Sequence, residues 1–99
     1  MDSPALESIL GKDVATIREG DSGRVIDVLI DGHGRVHAAV IEFGGFLGIG
    51  TRKVAVDWAA FRFTSRSIWV DVTREQLRTA VEYKAKETPF IVQAISADY

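Results

Sequence analysis

The sequence predicts a mainly β fold: a small, partly open β-barrel of five or six strands with one short C-terminal helix. Three observations support this prediction. Short β-branched stretches recur at close spacing, turns rich in Gly, Asp and Ser separate several of them, and one helix-start signal follows the last. The chain has 99 residues, which is the size of one domain.

A β-hairpin in the first half is the most clearly predicted local feature. Residues 24–31 (RVIDVLID) and 35–43 (RVHAAVIEF) are rich in β-branched side chains and nearly alternate between apolar and polar. This pattern favours strands over helices, and we expect Ile26, Val28 and Ile30 to share one face of the first strand. The sequence DGHG joins the two strands as a turn, because its glycines permit positive φ.

Shorter strands are predicted on both sides of this hairpin. Residues 13–18 form one upstream, closed by the turn Gly20-Asp21-Ser22-Gly23. The strands predicted downstream are residues 53–56, 61–64 and 67–72, with the last two pairing around Ser65-Arg66.

One helix follows the strands. Thr73-Arg74-Glu75-Gln76 fits a capping box, in which the Thr and Gln side chains bind the first free backbone amides. Leu77, Ala80 and Val81 then form the apolar face of a helix that we expect to end near Tyr83. The later stretch 90–95 (FIVQAI) is apolar and β-prone, so we expect it to pack against another surface, such as that of a second subunit. We divide the chain into an N-terminal segment (1–7), a barrel domain (8–83) and a C-terminal tail (84–99) that adds a strand or a dimer contact.

Charge and composition exclude several classes of protein. Twelve Lys and Arg against fourteen Asp and Glu give a net charge of −2, whereas proteins that bind DNA usually carry a strongly basic face. The absence of cysteine excludes disulfides and thiolate chemistry. Residues 1–10 show no signal-peptide pattern, so we expect a cytoplasmic protein, or a periplasmic one if a leader has been removed. No apolar run is long enough to span a membrane.

The turn Gly20-Asp21-Ser22-Gly23 matches the nucleophile signature of trypsin-like proteases. That chemistry needs a His base and an Asp partner held by two barrels, which is far more chain than 99 residues provide. Arg24 also stands where the signature has a further glycine. We therefore interpret the motif as a turn.

The glycine-rich loop 44–50 (GGFLGIG) is the most distinctive stretch. Gly45 and Gly50 have the spacing of a phosphate-binding P-loop, but Thr51-Arg52 follows where Lys-Ser/Thr is required. The loop also carries three large apolar side chains, which need to be buried in the protein's own core, in a partner subunit or in lipid. These are Phe46, Leu47 and Ile49.

No constellation of ionisable residues indicates catalysis. His33 and His37 titrate nearest to neutral pH, but no third ligand lies close in sequence, so we predict no metal site. We expect Asp27, Asp31 and Glu42 to be solvated carboxylates at turns and strand edges. The sequence therefore predicts a protein that is not an enzyme, with no catalytic residue, no metal and no cofactor.

Arginines alternate with aromatic residues in the second half, a pattern that also occurs on RNA-stacking surfaces. Strand alternation explains the pattern more simply, because it turns Phe61 and Phe63 inward and Arg62 outward. We therefore favour core packing over RNA binding. The remaining residues of the pattern are Arg66, Trp69, Arg74 and Arg78.

Residues 8–83 resemble the PRC-barrel domain, the β-barrel shared by the photosynthetic reaction-centre H subunit and a ribosome-maturation factor. The resemblance rests on a series of motifs in the family's order: ILGKDV (9–14), GRVIDVLID (23–31), GRV (34–36), GGFLGIG (44–50), VAVDW (54–58), VDVTREQL (70–77) and EY (82–83). It implies a barrel that serves as a docking or adaptor surface and often forms homo-oligomers. None of these motifs is a catalytic signature, and the stand-alone bacterial members have no defined role.

Together these observations predict a non-enzymatic protein-interaction or adaptor module that forms a homodimer and binds a further, unidentified protein. The candidate interface residues lie in the apolar loop and the apolar tail: Phe46, Leu47, Ile49, Phe90, Ile91 and Val92. Two alternatives stay open, an RNA- or ribosome-associated assembly factor and an accessory protein of a membrane electron-transfer complex.

Overall fold

The structure, a computed structural model, describes residues 6–45 and 50–95. These residues form seven strands, one 3-10 turn and one α-helix. In chain order they are β1 (Asp13–Thr16), β2 (Ser22–Ile30), β3 (Val36–Gly44), β4 (Thr51–Asp57), the 3-10 turn (Trp58–Ala60), β5 (Phe61–Phe63), β6 (Ile68–Val70), α1 (Arg74–Thr79) and β7 (Ile91–Val92).

The strands form one sheet that does not close, in the order β5-β6-β1-β2-β3-β4-β7. Neighbouring strands are antiparallel except for β1 with β6 and β4 with β7, which are parallel. The fold is thus mainly β with one short helix, which fits the predicted small, partly open barrel. The strand number was underestimated, because β7 comes from the tail and pairs with a strand more than thirty residues earlier.

The predicted hairpin is confirmed as β2 and β3, but the predicted apolar face of β2 is wrong. The pairing passes from Val25–Ile41 directly to Asp27–Val40, so Ile26 is an extra residue at a β-bulge. A bulge interrupts the alternation of a strand. Val25 is therefore fully buried in the core, whereas Ile30 is exposed near the tip of the hairpin.

Buried side chains of β3 and β4 form the centre of the fold. Residues 38–41 of β3 and 54–56 of β4 have no exposed surface, so both faces of the sheet are covered here. This burial is typical of a central strand rather than of an edge strand with one wet face. The largest fully buried side chains of the core cluster are Val14, Val25, Ile41, Phe43, Val54, Val56, Val70, Val72 and Leu77.

The capping box that begins α1 is confirmed, but the helix is shorter than predicted. The Thr73 hydroxyl accepts from the Gln76 amide at 3.0 Å, and the Gln76 side chain accepts from the Thr73 amide at 2.9 Å. The helix ends at Thr79, because Ala80 has an extended ψ of 147°. Leu77 and Ala80 are buried as expected, whereas Val81 is 63% exposed and lies outside the helix.

The segment after α1 returns to the barrel. The Tyr83 amide donates to the Lys53 carbonyl at 2.8 Å, Ile91 and Val92 pair with Ala55 and Val56, and the Ile95 amide donates to the Asp71 carbonyl at 2.9 Å. Tyr83 and β7 thus lie along the free edge of β4, and Ile95 lies against Asp71, the residue after β6. Across 6–45 and 50–95, the structure contains no helix with the length and apolar character needed to cross a membrane.

Candidate functional site

An apolar groove lies between α1 and β7. Its volume is about 260 Å³, and no charged side chain lines it. The helix contributes Gln76 and Thr79, with Ala80 directly after it, and the C-terminal segment contributes residues 90–93. Because an apolar surface without charges favours uncharged apolar ligands, the groove suits an apolar side chain rather than an ionic group.

Polar side chains fix the two walls of the groove relative to each other. The side-chain amide nitrogen of Gln76 donates to the backbone carbonyl of Gln93 at 3.0 Å, so the helix is hydrogen-bonded to the segment just after β7. Gln76 also belongs to the capping box, so the start of the helix and the position of β7 depend on one side chain. The groove is therefore defined by α1 and β7 together.

Arg52 fixes the C-terminal end of α1. Its guanidinium donates to the carbonyls of Arg78 and Ala80, which have no amide partner once the helix has ended. A cation at this end also interacts favourably with the helix dipole. The Arg52 Nε atom is buried and has no hydrogen-bond partner among the described residues. The last carbonyls of the short helix lie at the edge of the groove and are hydrogen-bonded to this side chain of β4.

Two large apolar side chains lie exposed in or next to this groove. Phe90, which lines it, is 51% exposed, and Val81, which follows Ala80, is 63% exposed. Ile91 is half-buried. Exposed apolar side chains are common one at a time, but an exposed Phe that lines an apolar groove is typical of an interaction surface.

The predicted interface residues fall into three groups. Phe90 and Ile91 line the groove and have exposed surface. Val92 also lines it but belongs to the protein's own core, with 3% exposure, which leaves almost none of its side chain for a second subunit. Phe46, Leu47 and Ile49 lie outside the described residues. Their loop begins and ends at Gly45 and Gly50, whose amide and carbonyl are joined by a 3.2 Å hydrogen bond.

The sequence did not predict that Gln76, Thr79 and Ala80 would line a groove. It also did not predict that Val81, the next residue, would be exposed. Gln76 was assigned only to the capping box, and Ala80 and Val81 only to a buried helix face. No local pattern indicates that β7 packs beside α1, because the contact depends on a parallel pairing with β4. The isolated apolar run 90–95 was the one available signal. It indicated that this segment packs against another surface, but it did not indicate which surface.

A second and larger cavity, of about 500 Å³, lies between residues 7–13 and the β5–β6 turn. Its lining mixes Ile9, Phe63 and Ile68 with hydroxyl, acidic and basic side chains. Lys12 is paired with Glu7 at 2.5 Å, so one of its two cations is already neutralised. The apolar surface here is interrupted by polar groups, and we regard the groove at α1 as the better binding surface.

Most ionisable residues with hydrogen-bonded partners stabilise local structure, although Asp27, Lys53, Glu82 and Lys84 line a further cavity of about 430 Å³. Asp31 accepts from the His33 amide at 2.7 Å and from the Arg35 amide at 3.1 Å, which closes the β2–β3 turn. His37 Nε2 lies 2.8 Å from the other Asp31 oxygen. These contacts lower the pKa of Asp31, the His37 hydrogen bond most of all. Both histidines are exposed, as expected, and the described residues include no cluster of three potential metal ligands.

The other carboxylates named from the sequence are also dispersed. Asp27 accepts from the Val28 amide at 2.8 Å, and Glu42 pairs with Arg24 at 3.1 Å. In the GDSG motif, Asp21 pairs with Arg74 at 2.8 Å, and Gly20 has the positive φ of a turn residue. The motif is therefore a turn, as predicted.

Arginines of the second half are largely engaged in ion pairs. Arg74 pairs with Asp21 and Arg78 with Glu75, and both contacts raise the pKa of the guanidinium. Arg62 lies 3.7 Å from Asp71, whose buried carboxylate also binds Arg18 at 3.2 Å. Charges compensated in this way contribute little to phosphate binding, which depends on a basic face.

The aromatic residues of β5 only partly follow their predicted orientation. Phe61 is buried and Arg62 is exposed, as expected, but Phe63 is 50% exposed, so its predicted burial is wrong. Its ring contacts Trp58 at a centroid distance of 5.5 Å and Phe61 at 6.2 Å. β5 is an edge strand, so no further strand among the described residues lies beside Phe63 on that side of the sheet.

Comparison with known proteins agrees with the barrel described above. No curated protein matches the chain in a sequence search. The family model described as the PRC-barrel domain matches residues 1–77, which include β1 to β6 and the first four residues of α1. This match covers more than half of the sequence and agrees with the resemblance in residues 8–83. The chain belongs to the PRC-barrel domain family.

Proposed function

We propose that this chain is a non-enzymatic protein-interaction module that works as a homodimer. The groove between α1 and β7 carries the proposal, because an uncharged apolar surface holds Phe90 half exposed and lies next to exposed Val81. Burying a large apolar side chain contributes about 1.5–3 kcal/mol. Covering both residues in an interface is therefore a substantial driving force for association.

The arrangement of ionisable groups supports an interaction role over catalysis. Catalytic sites bring groups with shifted pKa values together in a cavity. In the described part of the chain, the groups with a shifted pKa belong to exposed ion pairs or to the hairpin turn. The α1–β7 groove contains no ionisable side chain.

Sedimentation equilibrium across micromolar concentrations tests the proposal. We expect the average mass to rise with concentration from 10.9 kDa towards twice that value. A mass that stays at 10.9 kDa over the whole range would contradict the homodimer. RNA added to the same sample at low salt should leave the mass unchanged, because the arginines of the second half are mostly paired.

A further inference from the structure

β5 lies at one end of the strand order, so part of its backbone faces away from its neighbour β6. The hydrogen bonds at the two ends of this pairing show which part. At one end the Asp71 amide donates to the Ala60 carbonyl at 2.8 Å, and at the other the Thr64 amide donates to the Ser67 carbonyl at 2.9 Å. Hydrogen-bonded pairs alternate with non-hydrogen-bonded pairs along an antiparallel ladder. The backbone of Arg62, midway between Ala60 and Thr64, therefore also bonds to β6.

The two phenylalanines of β5 consequently direct their backbone amides and carbonyls towards the free edge of the sheet. Both groups of Phe61 are already bound there. Its amide donates to the Trp58 carbonyl, and its carbonyl accepts from the Arg62 guanidinium at 3.0 Å. Phe63 is then the one residue of β5 whose outward backbone groups have no partner among the described residues.

Two further acceptors hold the Arg62 guanidinium over this edge. Its Nη1 also donates to the Ala59 carbonyl at 2.7 Å, and its Nη2 lies 3.7 Å from a carboxylate oxygen of Asp71. Asp71 is only 4% exposed, and Arg18 binds the same carboxylate at 3.2 Å. Arg62 is thus an edge-strand charge with a fixed position, and charged side chains at sheet edges hinder pairing with another chain.

We infer that Arg62 protects the β5 edge against the addition of a further strand, and that the strand it excludes is β5 of a second copy. With the guanidinium in place, an incoming strand can bond only to Phe63. Without it, the Phe61 carbonyl joins the Phe63 amide and carbonyl in one open row, beside the half-exposed Phe63 ring. Two such edges can pair about a two-fold axis. No residue of β5 lines the α1–β7 groove, so this inference is independent of the proposed dimer interface.

Arg62→Met tests the inference, and Arg18→Met is its matched control. Each variant removes one cation from Asp71, but only Arg62 donates to an outward carbonyl of β5. Sedimentation equilibrium at equal concentrations compares both variants with the unchanged chain. We expect Arg62→Met to raise the average mass by a factor of about two or more, because each copy gains one further contact. Arg18→Met should have the mass of the unchanged chain.

Amide hydrogen exchange at Phe63 locates the new contact. In the Arg62→Met assembly this amide should exchange at least about tenfold more slowly than in the unchanged chain, because the added strand accepts its hydrogen. Phe63→Pro in the Arg62→Met background removes this donor without removing a bond to β6, so it should restore the mass of the unchanged chain.

Three results would overturn the inference. The first is an Arg62→Met chain with the mass of the unchanged chain. The second is a larger assembly in which the Phe63 amide exchanges as fast as before, since the chains would then associate elsewhere. The third is an equal rise in mass for Arg18→Met, which would assign the effect to the lost ion pair with Asp71. Thermal unfolding verifies that each variant is folded, and Arg62→Thr repeats the comparison with a residue of higher strand propensity.

Discussion

The guanidinium of Arg52 on β4 binds the carbonyl oxygen of Ala80, the residue directly after α1. This contact joins two parts of the chain that are 28 residues apart. It ends a helix of only six residues, and it positions the helix end that lines the groove. The shape of the groove therefore depends on a side chain that does not itself line it.

Replacing Arg52 should destabilise the fold. Arg52→Met keeps most of the aliphatic length but removes the donors for the Arg78 and Ala80 carbonyls. Hydrogen bonds to charged groups contribute about 1.5–3 kcal/mol, so we expect a loss of about 2 kcal/mol in the free energy of unfolding. Arg52→Lys retains one donor group and should lose less. Urea unfolding measures both, and equal stability of Arg52→Met and the unchanged chain would contradict this role.

Two glycines provide a matched test of the packing between β2 and β3. A Cβ on Gly23 would lie 2.7 Å from Ile41 Cγ2 and 2.8 Å from both the Glu42 carbonyl oxygen and Phe43 Cδ1. Because a backbone atom is among these contacts, Gly23→Ala should cost about 1–3 kcal/mol.

A Cβ on Gly32 meets nothing within 4 Å, and its φ is not in the left-handed region. Gly32→Ala should therefore leave stability nearly unchanged or raise it by less than about 1 kcal/mol. Thermal unfolding of the two variants side by side is the measurement. Equal changes in stability would show that the sheet tolerates a Cβ at Gly23, which would contradict the close packing described there.

Local signals predicted most of the elements, and distant contacts explain the errors. The DGHG turn and the Thr73–Gln76 capping box act within a few residues, so the hairpin and the helix start were predictable. The helix end was not, because it is stabilised by Arg52. The exposure of Phe63 depends on β5 being an edge strand, which no local pattern specifies.

The candidate site shows the same limit. Its tail residues Phe90 and Ile91 were predictable from their apolar character, whereas the wall formed by Gln76 and Thr79 was not. That wall exists because β7 pairs in parallel with β4 and because Gln76 donates to the Gln93 carbonyl. Both interactions join residues far apart in sequence, so neither periodicity nor composition indicates them.

The turn between β2 and β3 should lose stability in acid. Asp31 has a lowered pKa in the folded protein, chiefly because of His37 and then because of the Arg35 and His33 amides. The stabilisation from these contacts is present above the unfolded pKa, about 3.9, and is lost as the pH falls through the folded pKa. His37→Ala removes the largest cause, so we expect it to raise the Asp31 pKa towards its ordinary value. NMR titration of the Asp31 carboxyl measures this, and the same midpoint with and without His37 would be inconsistent with the assignment.

Phe90 and Phe63 give the most direct test of the proposed interface. The two rings are almost equally exposed, at 51% and 50%, but only Phe90 lines the α1–β7 groove. Sedimentation equilibrium of Phe90→Ser and Phe63→Ser, at concentrations where the unchanged chain dimerises, compares two similar losses of apolar surface at different places. We predict that Phe90→Ser weakens dimerisation by at least about tenfold, because 1.4 kcal/mol of lost burial suffices for that factor, while Phe63→Ser dimerises like the unchanged chain. A Phe90→Ser chain that dimerises as strongly as the unchanged one would contradict the claim that this groove is the interface.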